Sequence, residues 1–445
     1  MNKILSASIL LTGALALASC AGEEENLFDK SAAERLNETS AIYTSRLEAS
    51  PGGWVMEYYP TNDEEGYGAY GYLIMSRFNR DHSVTLGMNN ELSNGNYLED
   101  TTPWEVITDN GPVLSFNAYN ECIHTFSDPE SYLRGIAIGD QGTGVGGDYE
   151  FVMVDVPEGG EMIMLKGKKR GTYTRMTRVP EGTDFNSYLM DVDEFQNRIF
   201  PSNAPNFNVA TFGDSIMKIA EASTTIPNFY RYNGDEIADE TRHPFLITKR
   251  NGNYYLRLRD AFELKDDQKA QEFEYNEAED IFREVNNPEF TISGPNPAEF
   301  CQFALDNAHK WQLLRSSSMS ESMKEKYETV FNGFKTRGFT LSNMQFSINE
   351  NGEFVLGITY RKTSNTRISV KYDFARNGDQ LTLSNPQPVD NAAAVIGNIN
   401  GLQDFVNAIA TSYNASQDGS KFNLMNIKLT SASNANDWIT LTFIN

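Results

Sequence analysis

Four histidines, three cysteines and 61 acidic residues are the raw material for chemistry in this 445-residue chain. The histidines are His82, His124, His243 and His309. A Ser-His-Asp hydrolase needs one of them beside a nucleophilic serine, and no Gly-x-Ser-x-Gly elbow presents one. No His-Glu-x-x-His pair is present to hold zinc. Cys122 and His124 stand two apart in a segment that reads as a strand, where alternate residues share a face. Two such ligands could begin a zinc site, but no second pair completes it, and a packed thiol beside a hydrogen-bonded His is the better reading. No metal or other cofactor is expected. Gly139–Gly147 is glycine-rich, but it lacks the Lys and Ser/Thr of a P-loop and opens a strand rather than a helix. A flexible loop is the expectation there.

Carboxylates could act in pairs across a cleft, as in glycosidases, yet 61 of them leave no pair distinguished. Asp191-Val192-Asp193-Glu194 and Asp63-Glu64-Glu65 lack the alternating oxygen ligands and the Gly of a calcium loop, and read as solvated acidic surface. Aromatic rings concentrate around a polar, acidic loop from Tyr58 to Tyr72. Tyr67, Tyr70 and Tyr72 alternate there with Gly66, Gly68 and Gly71, and are the candidate ligand-binding residues. Exposed rings of this kind stack on sugars; the other reading is that Tyr70 and Tyr72 form one buried face of a strand. Trp54, Trp104, Trp311 and Trp438 each sit in a periodic element and read as core.

The third cysteine has a chemistry of its own. Lys3 precedes an uncharged apolar run from Ile4 to Ala18, too short for a comfortable membrane span, and Leu17-Ala18-Ser19-Cys20 follows. This ending resembles the bacterial lipoprotein box, which implies diacylation of the Cys20 thiol, cleavage before it and acylation of the new amine. Several acyl chains anchor a protein lastingly where one does not. Ala21-Gly22-Glu23-Glu24-Glu25 comes next and resembles the surface-export signal of Bacteroidetes lipoproteins; a plain solvated tether is the alternative.

Charge narrows the partners. The chain holds 37 Lys and Arg against 61 Asp and Glu, a net −24. Displacing counterions from nucleic acid needs the opposite sign, so no nucleic-acid partner is expected. Electrostatic docking on anionic lipid is excluded for the same reason, and the membrane is reached through the anchor alone.

The elements that position these groups follow from periodicity. Residues 21–30 are a tether. A capping box at Ser31-Ala32-Ala33-Glu34 starts a helix that Ser50-Pro51-Gly52-Gly53 ends. From Trp54 to Val179 the period is two, with nine strand-like segments, Cys122–Phe126 among them, separated by turn signals. This predicts an antiparallel meander, either barrel or sandwich. Asp184 caps a helix with the stripe Phe185, Leu189, Val192, Phe195 and Ile199. Pro and polar residues at 201–205 suggest a junction between a β-rich domain, residues 31–200, and an α+β domain, residues 201–445. In the second half, Arg250-Asn251-Gly252 signals a hairpin. Asn296-Pro297-Ala298-Glu299 starts a helix expected to bury Phe300, Phe303, Ala304, Trp311 and Leu314. Further helices and a closing meander follow. Hairpins interspersed with helices predict an α+β fold, mostly antiparallel. Cys122 and Cys301, 179 residues apart, read as two separate buried thiols.

A family pattern runs through the first half. Gly53-Trp54, Val113-Leu114-Ser115-Phe116, Tyr119-Asn120, His124-Thr125-Phe126-Ser127-Asp128-Pro129, Gly146-Gly147-Asp148-Tyr149-Glu150-Phe151 and Leu165-Lys166-Gly167-Lys168-Lys169 together resemble the uncharacterised Bacteroidetes lipoprotein family DUF4302. The resemblance carries no catalytic residues and implies a cell-envelope setting near outer-membrane uptake systems. The expectation is a lipid-anchored, outward-facing accessory that binds a glycan or a surface protein without catalysis. The alternative is an envelope glycan hydrolase with a carboxylate pair. Mass spectrometry of the mature N-terminus is expected to show acylated Cys20; an intact Met1 or an unmodified terminus would refute the anchor.

Overall fold

The computed structural model describes residues 30–444 except 64–65, 94, 129–131, 134–135, 138–144, 202–207, 213–214, 220–227, 234–235 and 264–267. Cys20, the tether to Asp29, Glu64 and Glu65, most of the glycine-rich loop and all but Pro201 of the expected junction lie outside the described residues. The fold is α+β and mostly antiparallel, as the sequence predicts, and rests on three large sheets.

Helix α1 (Ala32–Glu48) starts at the Ser31 capping box. The first strands are β1 (Trp54–Tyr58), β2 (Tyr72–Phe78), β3 (Ser83–Met88), β4 (Leu98–Pro103), β5 (Glu105–Thr108) and β6 (Pro112–Ser115). The one-turn helix α2 (Glu121–His124), short strands β7 (Tyr132–Leu133) and β8 (Ile136–Ala137), then β9 (Glu150–Asp155), β10 (Met162–Gly167) and β11 (Tyr173–Arg178) follow. Nine of these strands form one sheet, ordered β4-β3-β2-β1-β11-β10-β9-β6-β5. Its two edge strands are consecutive in the chain, joined at Trp104, so the sheet curls until it nearly closes. Trp54, Met56, Tyr58, Ile74, Phe116, Phe151 and Met176 fill its inside. The strand expected over Cys122–Phe126 is instead α2, because the Asn120 side chain accepts the Cys122 N–H and caps a helical turn.

Helix α3 (Phe185–Ile199) leads to the second sheet, with Asp184 as its cap. The strands are β12 (Asn208–Phe212), β13 (Ser215–Ile219), β14 (Asn228–Asn233), β15 (Glu236–Arg250), β16 (Asn253–Glu263), β17 (Lys269–Asn276), β18 (Ile281–Glu284) and β19 (Thr291–Ser293). Asn251 and Gly252 turn the β15–β16 hairpin with φ of 52° and 88°, the left-handed pair that two-residue hairpins favour.

Helix α4 (Pro297–Ala304) and strand β20 (Lys310–Leu313) open the last unit. Helix α5 (Glu321–Thr336), β21 (Thr340–Ile348), β22 (Phe354–Arg361), β23 (Asn365–Asn377) and β24 (Gln380–Val389) come next. Helices α6 (Ala392–Asn398) and α7 (Leu402–Ile409), then β25 (Ser412–Gln417), β26 (Asn426–Ser431) and β27 (Trp438–Ile444) complete it. β20 to β27 close in chain order into a barrel. Closure therefore belongs to the C-terminal half, where one continuous core joins barrel and helices. α4 ends at Ala304 rather than continuing through Leu314. Trp311 sits on β20 and its Nε1 donates to the Ala304 carbonyl, which folds strand back over helix. Cys122 and Cys301 are free, buried thiols, and burial pushes the Cys301 thiol up to about 12. No helix among the described residues is long and apolar enough to cross a membrane.

The sheets are joined by a buried charge network. β1 is buried on both faces. Its even positions face the first core, so Glu57 points out of it toward the second sheet. Arg175 on β11 donates to Glu57 Oε1 through Nε at 2.9 Å and Nη2 at 2.7 Å, and Nη2 also reaches Glu272 Oε1 at 2.6 Å. Arg257 reaches Glu57 Oε2 at 3.1 Å, and Arg250 reaches Glu272 at 3.2 Å. Burial alone would raise the Glu272 carboxyl, but the Arg175 hydrogen bond and the three guanidinium charges hold it below its ordinary value. Its stabilisation is present above the ordinary carboxylate range and is lost as pH falls through that depressed pKa. Glu57→Ala leaves Arg175 and Arg257 without their buried partner. It is expected to cost about 3–5 kcal/mol in denaturant unfolding, and a loss under 1 kcal/mol would show that the network does not hold the sheets together.

Candidate ligand-binding site

Helix α3 lies between the first two sheets. Phe185 and Leu189 pack with Val55, Met75 and Val179 on the outer face of the first sheet. Val192, Phe195 and Ile199 enter the second core. Positions 193, 196 and 197 flank that stripe at helical spacing, so Asp193, Gln196 and Asn197 lie together along one side of the helix. A cavity of about 380 Å³ opens there, within the range of small-molecule sites.

Three other segments complete its wall. Gly71, Tyr72 and Leu73 come from the start of β2, Asn89, Asn90 and Gly95 from the connection after β3, and Leu246 and Ile247 from β15. Gly71 permits the approach of the two sheets, since a Cβ there would stand 2.5 Å from Leu246 Cγ. Asn90 is held by its own turn: Oδ1 accepts the Leu92 N–H at 3.0 Å and its N–H donates to Ser93 Oγ at 3.1 Å. Asn89 Nδ2 reaches Asp193 Oδ2 at 3.5 Å. Among the described residues, Asn89 Oδ1 and Asn90 Nδ2 have almost no solvent exposure and no hydrogen-bond partner. Such groups carry a desolvation penalty until a ligand or water meets them. The lining thus combines the amide side chains of Asn89, Asn90, Gln196 and Asn197 and the Asp193 carboxylate with apolar walls, an arrangement suited to hydroxyl groups on a compact carbon frame.

Asp193 has an open outer edge, yet protein surrounds it enough that desolvation raises its carboxyl from 3.8 to about 6. Asp191, two residues earlier, is engaged in holding the helix to the second sheet, with Lys249 Nζ 2.7 Å away and Tyr254 OH donating to it at 2.9 Å.

The sequence-predicted rings are divided by burial. Tyr67 is 36% exposed, Tyr70 5% and Tyr72 2%. Tyr70 and Tyr72 are therefore core, and only Tyr67 shows a ring to solvent, so these three do not form a stacking surface. The physical reason is packing in the first core: Tyr72 on β2 meets Phe126 at 4.7 Å and its OH donates to the Tyr67 carbonyl, while Tyr70, in the bend before β2, joins the same core. Tyr72 nonetheless contributes to the cavity wall. The Cys122 thiol faces the Leu86 and Leu98 carbonyls, and no metal-ligating cluster of three occurs among the described residues. Sequence reasoning missed Asn89, Asn90, Gln196 and Asn197; it read Asp193 as acidic surface, and the residue is solvent-exposed as well as lining the cavity. The i, i+3, i+4 spacing beside the α3 stripe was the available signal; the approach of Asn89 to that helix is long-range and leaves none.

The chain belongs to the family described as a domain of unknown function, DUF4302, whose model matches residues 24–277. No curated protein matches it. Among solved structures, intact Ap-TbpB, with N and C lobes, aligns at 8% identity over 88% of this chain and 75% of that one, with a TM-score of 0.14. A double mutant of the vaccine antigen transferrin binding protein B from Haemophilus parasuis Hp5 aligns at 8% identity over 88% and 74%, with a TM-score of 0.15. The DNA polymerase III subunit beta from Pseudomonas aeruginosa aligns at 9% identity over 92% and 98%, with a TM-score of 0.10. Scores this low carry no argument about fold or function.

A carboxyl raised by folding opposes folding when ionised. The penalty is absent below the ordinary value of 3.8, grows until about pH 6 and is constant above. Asp193→Asn is therefore expected to raise Tm at pH 7.5 and to leave it unchanged at low pH. A Tm lowered at neutral pH would show that Asp193 stabilises the fold rather than serving a ligand.

Proposed function

We propose that this protein is a lipid-anchored binding protein on the outer face of the outer membrane, an accessory of an uptake system that holds one unit of a glycan in the cavity beside α3. The Cys20 box and the acidic residues after it support the anchor and the surface location. The observation that carries the binding reading is the set of polar side chains, Asn89, Asn90, Asp193, Gln196 and Asn197, that line one cavity beside α3. Sugar hydroxyls both donate and accept, and satisfy such a set together. Asp193 is the single carboxylate among the described lining residues, whereas glycoside hydrolysis uses two. This favours binding over the hydrolase alternative.

The test is a glycan array probed with the mature chain lacking residues 1–25, with reducing-sugar release measured on every hit. Binding without release is expected. Asn89→Ala and Asp193→Asn are each expected to weaken it by about 1–3 kcal/mol, roughly 5- to 150-fold. Sugar release abolished by Asp193→Asn would replace the reading with the hydrolase.

A further inference from the structure

Ring faces lie open to water at a second place, remote in sequence from the cavity residues. Tyr119 and Tyr149 are 58% and 41% exposed. Both lie against His124, with ring centroids 5.3 Å and 4.7 Å away, the His124–Tyr149 pair stacked. The stack is held from within, because the Asn120 N–H donates to His124 Nδ1 at 3.1 Å and Asn120 caps α2. Burial holds the His124 pKa below its ordinary value, so the stack carries no positive charge of its own at neutral pH.

The surroundings are acidic. Asp128 Oδ2 accepts from Tyr119 OH at 3.5 Å, and Asp100 Oδ2 accepts the Glu121 N–H at 2.9 Å. Desolvation, then the charges of Asp128, Glu121 and Asp100, raise the Tyr119 hydroxyl. Lys168 is engaged by Asp109 and Glu150, both at 2.9 Å. No cation among the described residues pairs with Asp100 or Glu121. Exposed electron-rich rings beside carboxylates complement a planar cation, which stacks on a ring while its N–H groups meet a carboxylate. Tyr and Arg are also the residue types enriched at the energetic centres of protein interfaces.

We propose that the Tyr119–His124–Tyr149 stack with Asp100 and Glu121 is a docking surface for an arginine side chain presented by a partner protein. The guanidinium lies over the Tyr119 or Tyr149 ring, and its N–H fork faces Glu121. This surface is independent of the glycan reading, since it shares no residue with the cavity.

The probe is a fluorescein-labelled peptide of alternating Gly and Arg, compared with its Gly-Gln counterpart, on the mature chain. The Arg peptide is expected to bind and the Gln peptide to bind at least tenfold more weakly. Tyr119→Ala and Tyr149→Ala remove rings without changing the net charge. Each is expected to lose at least fivefold, with Tyr149→Phe retaining affinity and Glu121→Gln losing it. Unchanged binding by the double Ala variant would show diffuse attraction to an acidic protein and overturn the proposal. Equal binding of the Gln peptide would overturn the cation. Competition by free arginine at equal guanidinium concentration would overturn the protein partner.

Discussion

The contact between Glu57 and Arg175 governs how this molecule is assembled. A carboxylate 1% exposed in the middle of β1 is tolerable only when its charge is met by close, directional donors. Arg175 supplies two from the neighbouring strand and Arg257 a third from the other sheet. A displacement of a few ångströms between the sheets would leave buried ions unpaired. The network therefore specifies one relative placement, where apolar surfaces alone would accept several. It also explains why β1 is buried on both faces although its sheet is antiparallel.

The second junction is built differently. Asp280 on the turn between β17 and β18 accepts from Ser420 Oγ and the Lys421 N–H, and Phe422 inserts among the aromatic side chains of the second core. Gln417 Nε2 donates to the Pro295 carbonyl at 2.6 Å. The barrel is thus held to the middle sheet by neutral and singly charged hydrogen bonds around an apolar plug. Such an interface has a lower desolvation penalty than a cluster of five charged side chains.

The cavity is a consequence of the first junction. α3 must bury one stripe against two sheets, and where the sheets diverge beside the helix its polar flank borders an open cavity. Amides and a carboxylate placed there are partly dehydrated before any ligand arrives. Prior dehydration of a few polar groups on rigid elements is what makes a binding site selective for a partner that restores their hydrogen bonds.

Much of the local structure was legible in the amino-acid order, because its causes are local. Ser31 and Asn296 cap helices through capping boxes, Asp184 caps α3, the stripe from Phe185 to Ile199 buries as its 3.6-residue period requires, and Asn251-Gly252 turns a hairpin. The segment over Cys122 is helical against its strand-like pattern, since alternation over five residues does not outweigh an Asn cap two positions earlier. Tertiary structure alone decided that the N-terminal meander curls without closing, that the C-terminal one closes, and that Tyr70 and Tyr72 turn inward. It also decided that Asn89 meets Asp193 across 104 residues. Periodicity reports which face of an element is apolar, but not which distant element covers it. Sheet closure and the pairing of polar groups across sheets depend on contacts between remote segments, and a one-dimensional pattern holds no record of those.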